Sequence, residues 1–168
     1  AYKNTFLYMP TWRDSQRDIF SNMKLDILNE ILQTNNELLI LKPHFNTKIS
    51  DSDIKGLSNI MLLDNNVDTY TILPYTSTLI TDYSSILYDY ILMANKNVIL
   101  YLYDYDEYVK ERDFTYPFDE NVTGKIVATF NDLCEIIRNG DYKINPLDRS
   151  RIIEKFWGET PSASQRLA

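Results

Sequence analysis

The chain has 168 residues, with 24 Asp+Glu against 17 Lys+Arg, a formal charge of −7 and 44% apolar residues. That is enough chain and apolar content for one hydrophobic core, so general disorder and a two-domain enzyme are both excluded and residues 1–168 read as a single domain. The negative balance also excludes sequence-independent nucleic-acid binding, which needs Lys and Arg to displace counterions from phosphates, while leaving room for a small anion in a local pocket.

Residues 5–9 form the first apolar run of strand length, followed by Pro10-Thr11-Trp12-Arg13-Asp14. Ser15 suits an N-cap with Asp18 in the first turn, and Phe20, Met23, Ile27, Leu28, Ile31 and Leu32 then recur at helical spacing as far as Asn35-Asn36. Residues 38–41 are the second strand, running into Lys42-Pro43-His44, and residues 60–63 are the third. A helix is predicted over 68–75. The fourth strand, 78–81, passes through Asp82-Tyr83-Ser84-Ser85 into a helix predicted over 84–94, and 98–102 is the fifth. Residues 104–120 are rich in acids and tyrosines and read as a solvated loop, whose aromatic rings suit the wall of a base or sugar site. A sixth strand at 126–129 precedes helices at 131–139, stopped by Gly140, and at 146–157, with Pro146 in its first turn.

Most of the strand runs are continuously apolar, as in strands covered on both faces, and they alternate with helices. The pattern predicts right-handed βαβ units in a doubly wound, parallel, Rossmann-like α/β sheet. Ligands in such sheets bind beyond the carboxyl ends of the strands, so the polar residues after each run are the candidates.

With four glycines in the chain there is neither a G-x-G-x-x-G fingerprint nor a Walker loop. Thr81-Asp82-Tyr83-Ser84-Ser85 offers another solution, in which unpaired amides at a helix start and two adjacent hydroxyls cradle a phosphate or diphosphate; Ser84 equally suits a plain N-cap. His44, the single histidine, stands with Lys42 at a strand end. The pair suits phosphate oxygens or proton transfer near neutral pH, or else a surface role. Arg13 is a further cation at this edge, on phosphate or solvated. Asp89 lies one helical turn beyond Ser85, where a carboxylate can accept from a ribose or simply cap the core edge. No Cys/His cluster has zinc spacing, and neither a metal nor a cofactor is expected. The lone Cys134 fits a reducing compartment. No apolar run approaches the roughly 20 residues of a membrane span, so any membrane contact is expected to be peripheral.

Several phrases together resemble the CDP-glycerol glycerophosphotransferase family of teichoic acid and capsule polymerases and primases. They are Leu79-Ile80-Thr81-Asp82-Tyr83-Ser84-Ser85 with Tyr88-Asp89-Tyr90, Val98-Ile99-Leu100-Tyr101 and Tyr105-Asp106-Glu107-Tyr108. Tyr8-Met9-Pro10-Thr11-Trp12-Arg13, Leu41-Lys42-Pro43-His44, Arg112-Asp113-Phe114, Gly124-Lys125-Ile126-Val127 and Ser162-Ala163-Ser164-Gln165-Arg166 extend the likeness over nearly the whole chain, in the family's order. Phe45 where the family commonly has Pro, Lys125 where it often has Pro, and Thr78 where it often has Asp are departures that leave the donor alcohol open.

The resemblance implies the carboxyl-terminal, donor-binding half of a GT-B glycosyltransferase-like enzyme, excised from its amino-terminal half. It implies transfer of glycerol or ribitol phosphate from a CDP-alcohol donor to a membrane-linked cell-envelope polymer, with release of CMP, in the cytoplasm at the inner face of the membrane. It places His44 as the catalytic residue; Lys42, Ser84, Ser85 and Arg13 on the donor diphosphate; and Asp82 and Asp89 on the ribose or the loop. The acceptor and a second essential histidine would belong to the other half, so this part alone is expected to be inactive. The alternatives are a GT-B transferase using another nucleotide sugar for capsule synthesis, and a non-catalytic nucleotide-binding regulatory domain.

Overall fold

In the computed structural model, residues 1–13, 20, 23–44, 49–112, 114 and 116–158 are described. Every predicted strand run forms a strand: β1 Asn4–Met9, β2 Glu37–Leu41, β3 Ile60–Leu62, β4 Thr78–Thr81, β5 Asn97–Tyr101 and β6 Lys125–Val127. They make one six-stranded sheet in the order β3-β2-β1-β4-β5-β6, and every neighbouring pair is parallel. This is the α/β, doubly wound class expected from the sequence. The order reverses between β1 and β4, so the loops leaving these two neighbours run to opposite sides and open a crevice at their carboxyl ends.

Side chains alternate across the sheet, and both faces are apolar. Phe6 and Tyr8 of β1 face one core with Leu39, Leu41, Ile80 and Ile99, covered by helices α1 (Leu25–Asn35) and α4 (Phe130–Asn139). Leu7 faces the other with Leu79, Val98 and Leu100, covered by α2 (Ile86–Tyr90) and α5 (Pro146–Trp157). Each fully buried Leu, Ile or Phe contributes about 1.5–3 kcal/mol, which is why the strands are continuously apolar.

Helices with explicit end signals fall where the sequence predicts them. In α4, Thr129 and Asp132 form a reciprocal capping box, and Gly140 closes the helix at φ 69 with its N–H on Ile136 and Ile137 carbonyls. In α5, the Asn145 side chain accepts from Leu147 N and Pro146 fills the first turn.

Elsewhere the helix boundaries require correction. The first helix begins at Leu25 rather than near Ser15, because Lys24 has non-helical backbone angles and supplies no side-chain cap. Ser15 and Asp18 lie outside the described residues. Phe20 and Met23 still reach the core, through a turn in which Met23 N donates to Phe20 O, whereas Ile27 of the predicted stripe is exposed. The helix predicted over 68–75 is two 3-10 turns, Thr69–Thr71 and Leu73–Tyr75, since Pro74 lacks the N–H a longer helix needs. The helix predicted over 84–94 shrinks to α2, beyond which Arg149 takes the Ile91 and Met93 carbonyls and Asn95 turns at φ 60. Within the predicted solvated loop lies a further helix, α3 (Tyr105–Arg112), opened by the Asp104 carbonyl, which accepts from Glu107 N and Tyr108 N.

Candidate functional site

A cavity of about 670 Å³ occupies the crevice at the strand order's reversal, beyond the carboxyl ends of β1, β2 and β4. Lys42 and His44 from the β2 loop and Ser84 and Ser85 from the β4 loop all line it, so residues some forty positions apart in sequence share one concavity. Thr11 and Trp12 of the β1 loop, Tyr83, and Asn65 and Thr69 from the segment between β3 and β4 complete the walls. Arg112, at the end of α3, joins from the β5 side. Among the described residues lining the cavity there is no carboxylate. Lysine, arginine, histidine and hydroxyls are a donor set for an anion and a poor one for a metal ion.

The individual groups are held in different ways. The Lys42 ammonium donates to the Asp64 and Asn65 carbonyls at 3.0 and 3.1 Å, which pins the segment after β3 to the β2 loop and leaves one of its three donors over. His44 is exposed, with its ring 6.1 Å from that of Trp12 at an interplanar angle of 37°. Ser84 Oγ accepts only a marginal bond, 3.5 Å, from Ile86 N, and Ser85 makes no side-chain cap, so neither hydroxyl serves mainly to cap α2. Because α2 has five residues, the dipole expected to add to this cradle is that of little more than one turn.

Arg13, expected on the diphosphate, is placed differently: it does not line the cavity and is buried beneath it, 5% exposed. Its Nε and Nη2 grip Asp104 in a bidentate pair at 2.7 and 3.1 Å, its Nη2 also reaches Asp82 at 2.8 Å, and its Nη1 donates to Thr11 O at 2.6 Å. Burial works against the guanidinium's charge, but the hydrogen bonds and Coulomb attraction of Asp104 and Asp82 prevail and raise its pKa above the ordinary arginine value. Asp82 is also buried; its carboxylate accepts from Thr11 N, Thr11 Oγ1 and Tyr83 N, joining the β1 and β4 loops. Asp89 does not line the cavity either; it accepts from Tyr70 Oη at 2.7 Å and so braces the 3-10 turn that presents Thr69.

The aromatic residues of 104–120 pack mainly on one another. Tyr83 stacks on Tyr108 with centroids 3.8 Å apart, and Phe114 stacks on Phe118 at 5.0 Å. Tyr83 Oη donates to Asp104 Oδ1, and burial first, then that carboxylate, push the phenol's pKa well up. A smaller hollow of about 140 Å³ lies on the other side of Ser84 among Tyr88, Phe114, Phe118 and Phe156.

The sequence alone assigns no chemical role to Trp12, Asn65, Thr69 or Arg112. The strand-end rule contains the signal for Trp12 and Asn65, which come after β1 and β3. Arg112 was hidden because α3 has no apolar periodicity to place its far end at the carboxyl edge of the sheet.

Known proteins share this fold. In solved structures, a variant of the wall teichoic acid polymerase TagF superposes with a TM-score of 0.73 at 27% identity, over 98% of this chain and 42% of TagF. A TagF variant soaked with CDPG gives 0.70 at 26% identity, over 99% and 41%. The teichoic acid ribitol-phosphate polymerase TarL of Staphylococcus aureus (strain NCTC 8325 / PS 47) is 30% identical over 147 residues, 84% of this chain and 26% of TarL. The teichoic acid glycerol-phosphate transferase of the same organism is 28% identical over 179 residues, 98% of this chain and 44% of that protein. The chain thus spans less than half the length of these relatives. The sequence model of one family, described as CDP-glycerol:poly(glycerophosphate) glycerophosphotransferase, matches residues 1–156, and with the shared fold and the anion-ready crevice this makes the chain a member of that family.

Proposed function

We propose that the chain is the donor-binding part of an enzyme that transfers glycerol or ribitol phosphate from a CDP-linked alcohol to a cell-envelope polymer, releasing CMP. The observation that carries the reading is the cavity in which Lys42, His44, Ser84 and Ser85 converge without a facing carboxylate among the described residues. In the reaction an acceptor hydroxyl oxygen bonds to the phosphorus that bears the alcohol, the bond from that phosphorus to the bridging oxygen breaks, and the electron pair leaves with CMP. The hydroxyl's proton goes to a base outside this chain, so the chain alone turns nothing over.

Phosphoryl-type transfer depends mainly on positioning and on stabilising charge as it accumulates. The chain's residues divide that work. Ser84 and Ser85 hydroxyls donate to diphosphate oxygens, the remaining Lys42 donor adds a full positive charge, and protonated His44 donates to the oxygen that becomes part of CMP. Asp82 and Asp89 act at one remove, holding the loops that carry Thr11 and Thr69. The acceptor is a membrane-linked polymer met at the inner face of the membrane. Among the described residues no helix is long and apolar enough to cross a membrane, and the approach we propose is peripheral.

Calorimetric titration of the chain with CDP-glycerol, CDP-ribitol, CDP, UDP, GDP and ADP tests the reading. Binding of the cytidine compounds is expected. Preference for another nucleobase redirects the proposal to a different nucleotide donor, and binding of none removes it.

A further inference from the structure

We propose that the aromatic hollow on the far side of Ser84 seats the alcohol of the CDP-linked donor, a small neutral polyol, and that Asn121 is the residue that recognises its hydroxyls. The proposal rests on the donor-site reading in one respect, that the diphosphate lies against Ser84.

The two concavities meet at one ridge, because Tyr83 and Ser84 line both of them. Their chemistry differs sharply across it. Lys42, His44 and Arg112 stand on the cavity side, whereas the described residues around the hollow include no cation. The acid in the hollow's wall, Asp82, is already bonded to Arg13 Nη2, Thr11 Oγ1 and Tyr83 N. A diphosphate is drawn to the cationic side, and the uncharged group it carries is left to the neutral side. Size agrees with this division. The hollow measures about 140 Å³, the liquid share of roughly five waters at about 30 Å³ each. That is room for a three-carbon polyol and too little for a nucleoside.

The walls suit a polyol in detail. Tyr88, Phe114, Phe118 and Phe156 offer apolar faces to its C–H groups, with the Tyr88 and Phe156 ring centroids 4.5 Å apart. Among these rings lies Asn121, 5% exposed and tied down on three sides. Its N–H donates to Phe118 O, its carbonyl accepts from Tyr88 Oη, and its Nδ2 donates to Pro117 O. Since a backbone carbonyl can only accept, the Pro117 bond fixes which end of the amide is the NH2 group, and the other end, Oδ1, is an acceptor. That Oδ1 is buried with no hydrogen-bond partner among the described residues. Tyr88 Oη, having given its hydrogen to Asn121 O, likewise retains acceptor capacity. An apolar pocket with a few fixed polar atoms is the usual form of a small-molecule site, and here those atoms want O–H donors. A polyol supplies them; a phosphate does not.

Calorimetric titration with CDP-glycerol and with CDP tests this through the ratio of the two affinities. Asn121→Leu keeps the size of the side chain and removes the acceptor. It is expected to weaken CDP-glycerol binding by about tenfold and to leave CDP within about twofold of wild type. An unchanged ratio overturns the proposal. An equal loss of both ligands also overturns it, because the hollow would then merely support the ridge that holds the diphosphate. Should Asn121→Leu fail to fold, Phe156→Trp enlarges a half-exposed ring in the outer wall, crowds the alcohol and is held to the same outcomes. Wild-type binding of CDP with an unchanged ratio in the variant removes the alcohol's seat and keeps the donor-site reading. A wild-type chain that binds neither ligand removes both.

Discussion

Two layers of the site obey opposite rules. In the floor, Arg13, Asp82 and Asp104 are buried and bonded to one another, with tyrosine rings packed around the guanidinium. In the rim, His44, Ser85 and Arg112 are exposed along a single cavity. The floor contains charged groups that their place in the sequence would assign to chemistry, yet its donors and acceptors are committed to holding loops. The rim carries the groups that face the cavity. The contrast teaches that a charged residue at the binding edge of a sheet has to be judged by whether it is buried under the cavity or exposed along it.

The sharpest break between the layers is expected from Arg13→Ala. Removing one partner from a buried charge network leaves the others unpaired, so unfolding stability should fall by about 3–5 kcal/mol and donor binding should be lost with it. A urea midpoint close to wild type would show that the floor does not hold these loops together.

His44→Ala should do the reverse. In the complete enzyme it is expected to lower CMP release by about 10²–10⁴-fold, the usual range for a general acid or base, while changing stability by no more than about 0.5 kcal/mol, as for a surface position. Loss of stability together with activity would erase the distinction between floor and rim.

The smallest effect is an alkaline one. Burial, more than neighbouring charge, raises the pKa values of Tyr8, Tyr83 and Tyr103 around the floor, and of Tyr101, which is pushed up to about 12. A tyrosine whose folded pKa exceeds its unfolded value of about 10 favours the folded state fully below about pH 10 and loses that contribution as pH rises through the folded value. Denaturant midpoints should therefore be flat up to about pH 10 and decline from there towards pH 12, with tyrosinate absorbance of these rings appearing only as the chain unfolds. Ionisation of all tyrosines at about pH 10 without loss of structure would contradict the buried floor.

The strands were legible because a parallel sheet covered on both faces demands continuous apolar runs, and strands such as Thr78–Thr81 are buried at every residue. The ends of α4 and α5 were legible because Gly140, Asn145 and Pro146 carry local backbone chemistry. The start of α1 was not, since Phe20 and Met23 obey helical spacing yet reach the core from a turn. Lys42, His44, Ser84 and Ser85 were legible as polar residues just past the carboxyl ends of apolar runs. The orientation of Arg13 could not be read, because its carboxylate partners stand 69 and 91 residues further along the chain, and nothing local distinguishes an arginine turned inward from one facing a phosphate.

The outermost strands, Ile60–Leu62 and Lys125–Val127, are three residues each, whereas β1 at the centre has six. Short borders offer few unpaired amides and carbonyls to a passing chain, and Lys125 places a charge on one of them. Gly124, at φ 138, leads into that border at a point where any added Cβ would lie 2.8 Å from the Val98 carbonyl oxygen. A substitution there would loosen the last strand and uncover the long apolar flank of β5, turning a self-terminating sheet into a template on which further copies can accrete.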